Sequence, residues 1–461
     1  MTQLRDGCRV VIAGGGPAGS SAAILLKDHA QERGIDLDVK ILEKSNFAKG
    51  GPGGCKGCAG IVSASLIERL RERGIAVPDN VIQKKVDGYV FETPNESLFL
   101  EDERGQSVTV FRGNGPGRAP YEDSVSFDGF LKEEAERRGV EFVNTRVKSI
   151  KSARTIDDRV FVTTERSKSG PGHVYTADLL VGAVGMRGAH LFEKADFGYK
   201  LGDTVKLGQS EIALDPEQIK ENFGGLVHIY SLGIPGVKYA ALTPKEDFVT
   251  VTVISNESGK TETPKSLKDK LDAFLNQPKV APKLEDGMQI GCKSCFCAPE
   301  VPISGATQPY GDRIVMIGDA GYTRLYKNGI ESAFITADLA MQAALEYGVS
   351  KEAFEKHYHS EANRRFNRDN KFGEFLFGIN DVLSKATAVT DAHVRVANKD
   401  TRNGERLRKM FFSLFTGDRP YASVAADIAT SPLLQAELGL ATLRGIANHA
   451  VTALQRVRGY A

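Results

Sequence analysis

Long apolar runs are missing from this sequence: none approaches the roughly 18 residues that a membrane-spanning helix needs. A cationic, apolar leader is missing too, because a buried-strand pattern starts already at Arg9. These absences lead us to expect a cytoplasmic protein, with peripheral membrane contact as its only approach to a bilayer. Charge of one sign is not in excess either. The 60 basic residues stand against 59 acidic ones, so no global field attracts nucleic acid or an anionic surface, and we expect no nucleic-acid partner. Six cysteines in 461 residues are too few for a secreted disulfide scaffold. The eight histidines show no H-x-x-x-H or H-E-x-x-H spacing, and the close pair His357 and His359 reads as solvated helix surface.

What is present begins with Arg9-Val10-Val11-Ile12-Ala13, a β-branched run of the kind buried on both faces of a parallel sheet. A helix-forming stretch from Ser20 to His29 follows, and then a second strand from Asp38 to Leu42. Strand, helix and strand in this order make a βαβ unit. Between the first strand and the helix, Gly14-Gly15-Gly16-Pro17-Ala18-Gly19 satisfies G-x-G-x-x-G. Gly14 permits the tight turn, Gly16 lets backbone approach a pyrophosphate, and Gly19 lets helix and strand pack closely. Glu43, followed by Lys44, closes the second strand where a carboxylate accepts hydrogen bonds from ribose hydroxyls.

A second signal far along the chain favours FAD over NAD. Ile317-Gly318-Asp319-Ala320-Gly321 ends a strand, and Asn328-Gly329-Ile330 opens a helix. Asp319 is placed to bind ribityl hydroxyls, and the N–H groups at Gly329 and Ile330 to stabilise negative charge on a reduced flavin. The stretches GGGPAGSSAA and IGDAGYTRLYKNGIESAF resemble the FAD-dependent family that contains para-hydroxybenzoate hydroxylase and the geranylgeranyl reductases. Phe127-Asp128-Gly129-Phe130-Leu131 and Asp178 to Gly185 fit that family's layout. Val184 stands where the family commonly carries an aspartate, which counts against hydroxylation driven by directly bound NADPH. The chain has no tryptophan, so the tryptophan motif of the flavin halogenases is absent.

Cys55-Lys56-Gly57-Cys58-Ala59-Gly60 resembles the cysteine and glycine segment that passes beside the flavin in the geranylgeranyl reductase branch. The resemblance implies an FAD-dependent oxidoreductase that reduces carbon–carbon double bonds of an isoprenoid or other lipid-like substrate. Reduced flavin would deliver hydride while a nearby acid protonates the other carbon. Catalytic thiols are expected at Cys55, the better candidate, and Cys58. The electron donor is expected to be NAD(P)H or a ferredoxin-type protein. Such a substrate calls for an apolar tunnel between a middle sheet and C-terminal helices, although Phe375 to Ile379 and Phe411 to Phe415 read more simply as helix core.

The cysteines leave other readings open. Cys292, Cys295 and Cys297 form a second cluster, and with Cys55 and Cys58 they have the makings of a zinc or [4Fe-4S] site. A redox disulfide and inert small thiols are the alternatives. An iron–sulfur or disulfide centre would suit an electron-transfer flavoprotein, and a flavin monooxygenase is the third functional class. Arg324, Tyr326 and Lys327 depart from the reductase pattern and suit an anionic substrate group. The fold expected is α/β, α+β overall. It comprises a discontinuous Rossmann-like FAD-binding domain (1–80, 120–190 and 300–350), a β-sheet substrate domain (81–119 and 191–299) and a C-terminal helical domain (351–461).

Overall fold

The computed structural model describes residues 3–51, 54–117, 123–166, 172–290, 295–384 and 387–459. Val10, Val11 and Ile12 of the Arg9–Ala13 strand are shut away from solvent on both faces, as their branching favours in a central strand. This strand pairs in parallel with Asp38–Glu43 on one side and with Leu179–Gly182 on the other. The six-stranded sheet runs in the order Tyr310–Gly311, Ile314–Met316, Leu179–Gly182, Arg9–Ala13, Asp38–Glu43, Glu141–Asn144. The chain leaves its central strand toward one edge and returns later on the other side. A crevice therefore opens at the carboxyl ends of Arg9–Ala13 and Leu179–Gly182, the switch point at which such sheets bind ligands.

Helix Pro17–Glu32 starts at that crevice. Proline occupies its first turn, where a missing N–H costs no helical bond. It packs against Gly329–Glu346, and together the two helices cover one face of the sheet.

A second sheet has seven strands in the order Glu300–Pro302, Thr204–Ala213, Phe248–Ser258, Val237–Pro244, Leu226–Tyr230, Gly88–Glu92, Ser97–Glu101. Its side chains alternate by the strand period of two. Val249, Val251 and Val253 pack under helix Pro264–Leu275 through Leu271 and Phe274. The register sets Glu211 opposite Thr250 and Gln209 opposite Thr252, so the other face carries buried polar groups.

From Lys351 the described chain is almost wholly helical. Two wide turns of π-helix, Glu355–His359 and Asn363–Arg368, interrupt the first of these helices. Among the described residues no helix is long and apolar enough to cross a membrane.

Candidate active site

The glycine-rich turn lies in the crevice, and its glycines are required sterically. Gly14 has φ +98°, and a Cβ there would sit 2.4 Å from the Ala183 carbonyl oxygen. A Cβ on Gly19 would come within 1.9 Å of the Gly14 carbonyl oxygen, so helix and turn touch only because both positions are bare. Glu43 accepts a hydrogen bond from the Gly15 N–H at 2.8 Å and thereby braces the turn, while Lys44 beside it is exposed.

Gly318 (φ +60°) brings the Gly318–Ala320 turn onto Ala18, whose Cβ lies 2.9 Å from where a Gly318 Cβ would be. Asp319 is thus delivered to the same crevice. It is close to Thr323 and feels Arg112, and burial pushes its carboxyl up. Its Oδ1 is 3.8 Å from the position of a Gly329 Cβ, at the start of helix Gly329–Glu346. Ile330 follows in the first turn, nearly buried. Tyr326 and Asn328, on the approach, hold left-handed φ of 64° and 56°, which non-glycine residues rarely adopt away from functional loops. The turn, Asp319 and this helix start, all singled out by sequence, therefore converge at one place.

Arg112 is a site residue that motif reading missed. Its Nη2 stands 3.0 Å from where a Gly16 Cβ would be, facing the turn. Its guanidinium forms a bidentate pair with Asp128, at 3.1 and 2.8 Å. Asp128 belongs to helix Phe127–Arg137, capped by Ser126, which accepts from the Gly129 N–H at 3.0 Å. Burial works against the charge on Arg112, and Asp128 outweighs it and holds the guanidinium protonated. The only signal for Arg112 in the sequence was the F-D-x-x-L helix start that its partner occupies.

The Lys49–Gly60 loop lies against the segment that follows Arg112. Cβ atoms on Gly54, Gly60 and Gly113 would sit 2.0 Å, 1.9 Å and 2.2 Å from the carbonyl oxygens of Gly115, Val110 and Gly54 respectively. Lys56 and Gly57 both have φ near +60°, at 60° and 62°, as in a mirror-image turn between Cys55 and Cys58. That turn sends the two sulfurs apart. Cys58 faces the Arg112–Asp128 side, and burial pushes its thiol up. Cys55 is 3% exposed and packs on Phe111, Val125 and Phe248. The neighbouring Cys297 thiol brings Cys55 down, and Cys55 in turn drives Cys297 up.

The polar face of the seven-stranded sheet closes over Cys55. Glu211 contacts the Cys55 thiol, and burial pushes its carboxyl up against the pull of Lys245. Thr250 donates to Glu211 at 2.7 Å. Lys245, wholly buried, lies 3.8 Å from Glu211, donates to the Ala59 carbonyl at 3.2 Å and stands 4.7 Å above the Phe111 ring. The Thr243 and Thr252 hydroxyls, also buried on this sheet, have no partner among the described residues.

Two expectations are corrected here. A zinc or [4Fe-4S] site at Cys55, Cys58, Cys292, Cys295 and Cys297 is not assembled: the Lys56–Gly57 turn parts Cys55 from Cys58, and among the described residues no group of three or more candidate ligands converges. Cys292 lies outside the described residues. Of the apolar stretches considered for a tunnel, Phe377, Phe411 and Phe415 pack against core aromatics, in line with the helix-core reading, while Phe375 is exposed. Phe91 stacks on Phe411 and Phe415 at 5.4 and 4.7 Å, and Phe377 lies 6.0 Å from Tyr239. Lastly, His359 is not solvated surface: its Nδ1 is hydrogen-bonded to the Tyr322 hydroxyl.

A cavity of 740 Å³ is lined by both charged and apolar groups. It lies against the start of helix Gly329–Glu346 and is lined by Arg69, Arg104, Arg324 and Arg368, with Glu331 and Asp369 among them. Arg324 is tied to the carbonyls of Gly417 and Arg419, at 2.6 and 2.8 Å. Lys327, from the same loop, turns into an aromatic cage of Phe377, Phe415 and Tyr421, and burial holds its ammonium well below the usual range.

Residues 7–320 match the family described as FAD binding domain. The chain is 25% identical over 344 residues, 73% of its own length and 74% of the relative's, to the geranylgeranyl diphosphate reductase of Synechocystis sp.. A geranylgeranyl bacteriochlorophyll reductase-like protein from Thermoplasma acidophilum superposes with a TM-score of 0.63 at 19% identity, covering 95% of this chain and 100% of that one. A flavoprotein/dehydrogenase from Cytophaga hutchinsonii does so at 0.64 and 18% identity, covering 95% and 99%. At these identities the two solved structures establish the fold.

Proposed function

The chain belongs to the FAD binding domain family and is an FAD-dependent oxidoreductase; from that premise we propose that it saturates carbon–carbon double bonds of an isoprenoid or other lipid-like substrate. The observation that carries this reading is the seating of the Cys55 loop. It lies on the segment that bears Arg112, itself against the glycine turn, and it holds a thiol and a carboxyl, Cys55 and Glu211, next to one another. A saturating reduction needs a proton donor beside the hydride donor.

Bound FAD would supply the hydride. Gly14, Gly16 and Gly19, with Pro17 and Ala18 opening the helix, would hold its pyrophosphate, and Arg112 would balance the phosphate charge. Glu43, with Lys44 alongside, would take ribose hydroxyls. Gly318 and Asp319 would take the ribityl chain, and the N–H groups of Gly329 and Ile330 the negative edge of the ring. Cys55 donates a proton to the substrate carbon opposite the hydride. Glu211, whose carboxyl burial pushes up, restores that proton. Lys245 anchors the loop through Ala59, and Cys58 lines its cofactor side.

The arginine-lined cavity suits an anionic headgroup on the substrate, in keeping with the diphosphate in the name of the Synechocystis relative. We assign electron supply to NAD(P)H or a ferredoxin-type protein. The same reading keeps the FAD-binding domain at 1–80, 120–190 and 300–350, the substrate sheet at 81–119 and 191–299, and the helical domain at 351–461. A lipid-like substrate also suits peripheral membrane contact through Leu433, Leu440, Leu443 and Ile446, which are exposed on the last helix.

Holoenzyme reduced anaerobically and given geranylgeranyl diphosphate tests the reading by product mass. Gain of two hydrogens per reduced bond is the expected result. Unchanged substrate, with polyprenyl lipids and smaller anionic enoates refused as well, would overturn it.

A further inference from the structure

Cys55 and Cys297 come from distant parts of the chain, yet the Cys297 sulfur lies against the turn that follows Cys55, and each thiol acts on the other's protonation. Two independent features fix the approach. Cys297 is held by an isolated antiparallel bridge to Gln209, with N–H to carbonyl distances of 2.9 and 3.0 Å in the two directions. The left-handed Lys56–Gly57 turn then closes over it, so that the Cys297 Sγ lies 3.5 Å from where a Gly57 Cβ would be. Cys58 is turned toward Arg112; Cys295, whose carbonyl accepts from the Ser210 hydroxyl at 2.5 Å, also acts on Cys297. The charged groups facing Cys55 are Glu211 and Lys245, both from the seven-stranded sheet. The Gly57 backbone also favours its thiolate. Of the two, Cys55 carries the thiol that its neighbours bring down, and Cys297 stands where its sulfur can resolve an oxidised Cys55.

We propose that Cys55 and Cys297 are a peroxide-responsive pair that closes to a reversible disulfide linking the glycine-rich loop to the substrate sheet. The Cys55 thiolate attacks hydrogen peroxide and takes one oxygen, the O–O bond breaks, and the leaving hydroxide is protonated to water. The Cys297 sulfur then displaces the second oxygen as water and forms the S–S bond. The two thiols lose two electrons and two protons together, and one peroxide becomes two waters. A thiol reductant reverses the change.

The disulfide itself does not depend on the proposed reaction. Its consequence does: if Cys55 is the proton donor, the closed form has none, and turnover stops until the bond is reduced.

The test treats the flavin-loaded full chain with hydrogen peroxide, blocks free thiols by alkylation, and maps linked peptides by mass before and after dithiothreitol. A Cys55–Cys297 link that disappears with the reductant is the expected result. Cys297→Ser should abolish the link and let Cys55 advance to sulfinic acid, whereas Cys58→Ser should leave the link unchanged. Linkage of Cys55 to Cys58 or of Cys295 to Cys297, or full alkylation of both Cys55 and Cys297 after peroxide, would overturn the proposal. Because the readout is a mass, a chain that forms the link yet reduces no prenyl substrate would refute the reductase reading alone.

Discussion

Arg112 meets the glycine turn with one edge of its guanidinium while the other grips Asp128, whose side chain is 1% exposed. Truncating one member of a buried pair leaves the other charge without compensation, at a cost of about 3–5 kcal/mol. Arg112→Ala should therefore lower the thermal midpoint and weaken FAD binding together, and Arg112→Lys, which keeps charge but not the fork, should fall between. Calorimetry with a flavin-fluorescence titration checks both, and an unchanged FAD affinity in Arg112→Ala would remove the phosphate role. For Cys55→Ser we expect wild-type flavin content and a fall in double-bond reduction of about a hundredfold, the scale of one general acid. These two residues also mark the limit of motif reading. Gly14 and Gly19 were legible because no side chain fits where they stand, and that constraint writes itself into the sequence. Arg112 acquires its role from a partner beyond a loop, and the pairing of Cys55 with Cys297 from a bridge at Gln209, and neither relation has a fixed spacing.

The Lys49–Gly60 loop behaves as an element although it is neither helix nor strand, because its glycines let two backbones lie in contact. Gly54→Ala would drive a Cβ into the Gly115 carbonyl, with 2.0 Å available. The loop should lift away from the Arg112 segment, with FAD retained and reduction lowered at least about tenfold, about 1.4 kcal/mol in barrier. Flavin content and kcat measured on one preparation separate loop displacement from unfolding.

The strand Gly88–Glu92 carries a different kind of link. Burial alone would raise the Glu92 carboxyl, but His228, Ser97 and Lys279 bring it down to about 2 from 4.5. Ser97 and Lys279 donate to it at 2.5 and 2.9 Å. A folded value below the unfolded one gives stability that is present above pH 4.5 and lost as pH falls toward 2. The amount is about 3 kcal/mol. Glu92→Gln should flatten that part of the stability profile in urea titrations, and a profile of unchanged slope would show that the link contributes little. Strands such as Arg9–Ala13 and Asp38–Glu43 were readable from β-branched runs, whereas Thr204–Ala213, which carries Gln209 and Glu211, was not. The π-turns at Glu355–His359 and Asn363–Arg368 were not, since a wide turn leaves helical composition unaltered.

At the scale of the molecule, sheet order does what no single motif does. Strands from widely separated segments meet around Arg9–Ala13, and that order creates the crevice to which Asp319 and the Gly329 helix start are brought. The βαβ start and the G-D-A strand end made this half legible. The space for substrate was less so, because aromatic helix stretches look alike whether they line a tunnel or fill a core. Phe411, Phe415 and Phe377 fill one, and open volume lies instead among Arg69, Arg104, Arg324 and Arg368, of which the sequence had singled out only Arg324. The account's central claim is that electrons leave the flavin for a carbon–carbon double bond. Its most direct measurement is a single-turnover experiment: stoichiometrically reduced holoenzyme is mixed with geranylgeranyl diphosphate without oxygen, and flavin absorbance is followed. The account predicts reoxidation that matches the substrate bonds saturated and slows in Cys55→Ser; flavin that stays reduced until oxygen is admitted, and then yields an oxygenated product, would contradict it.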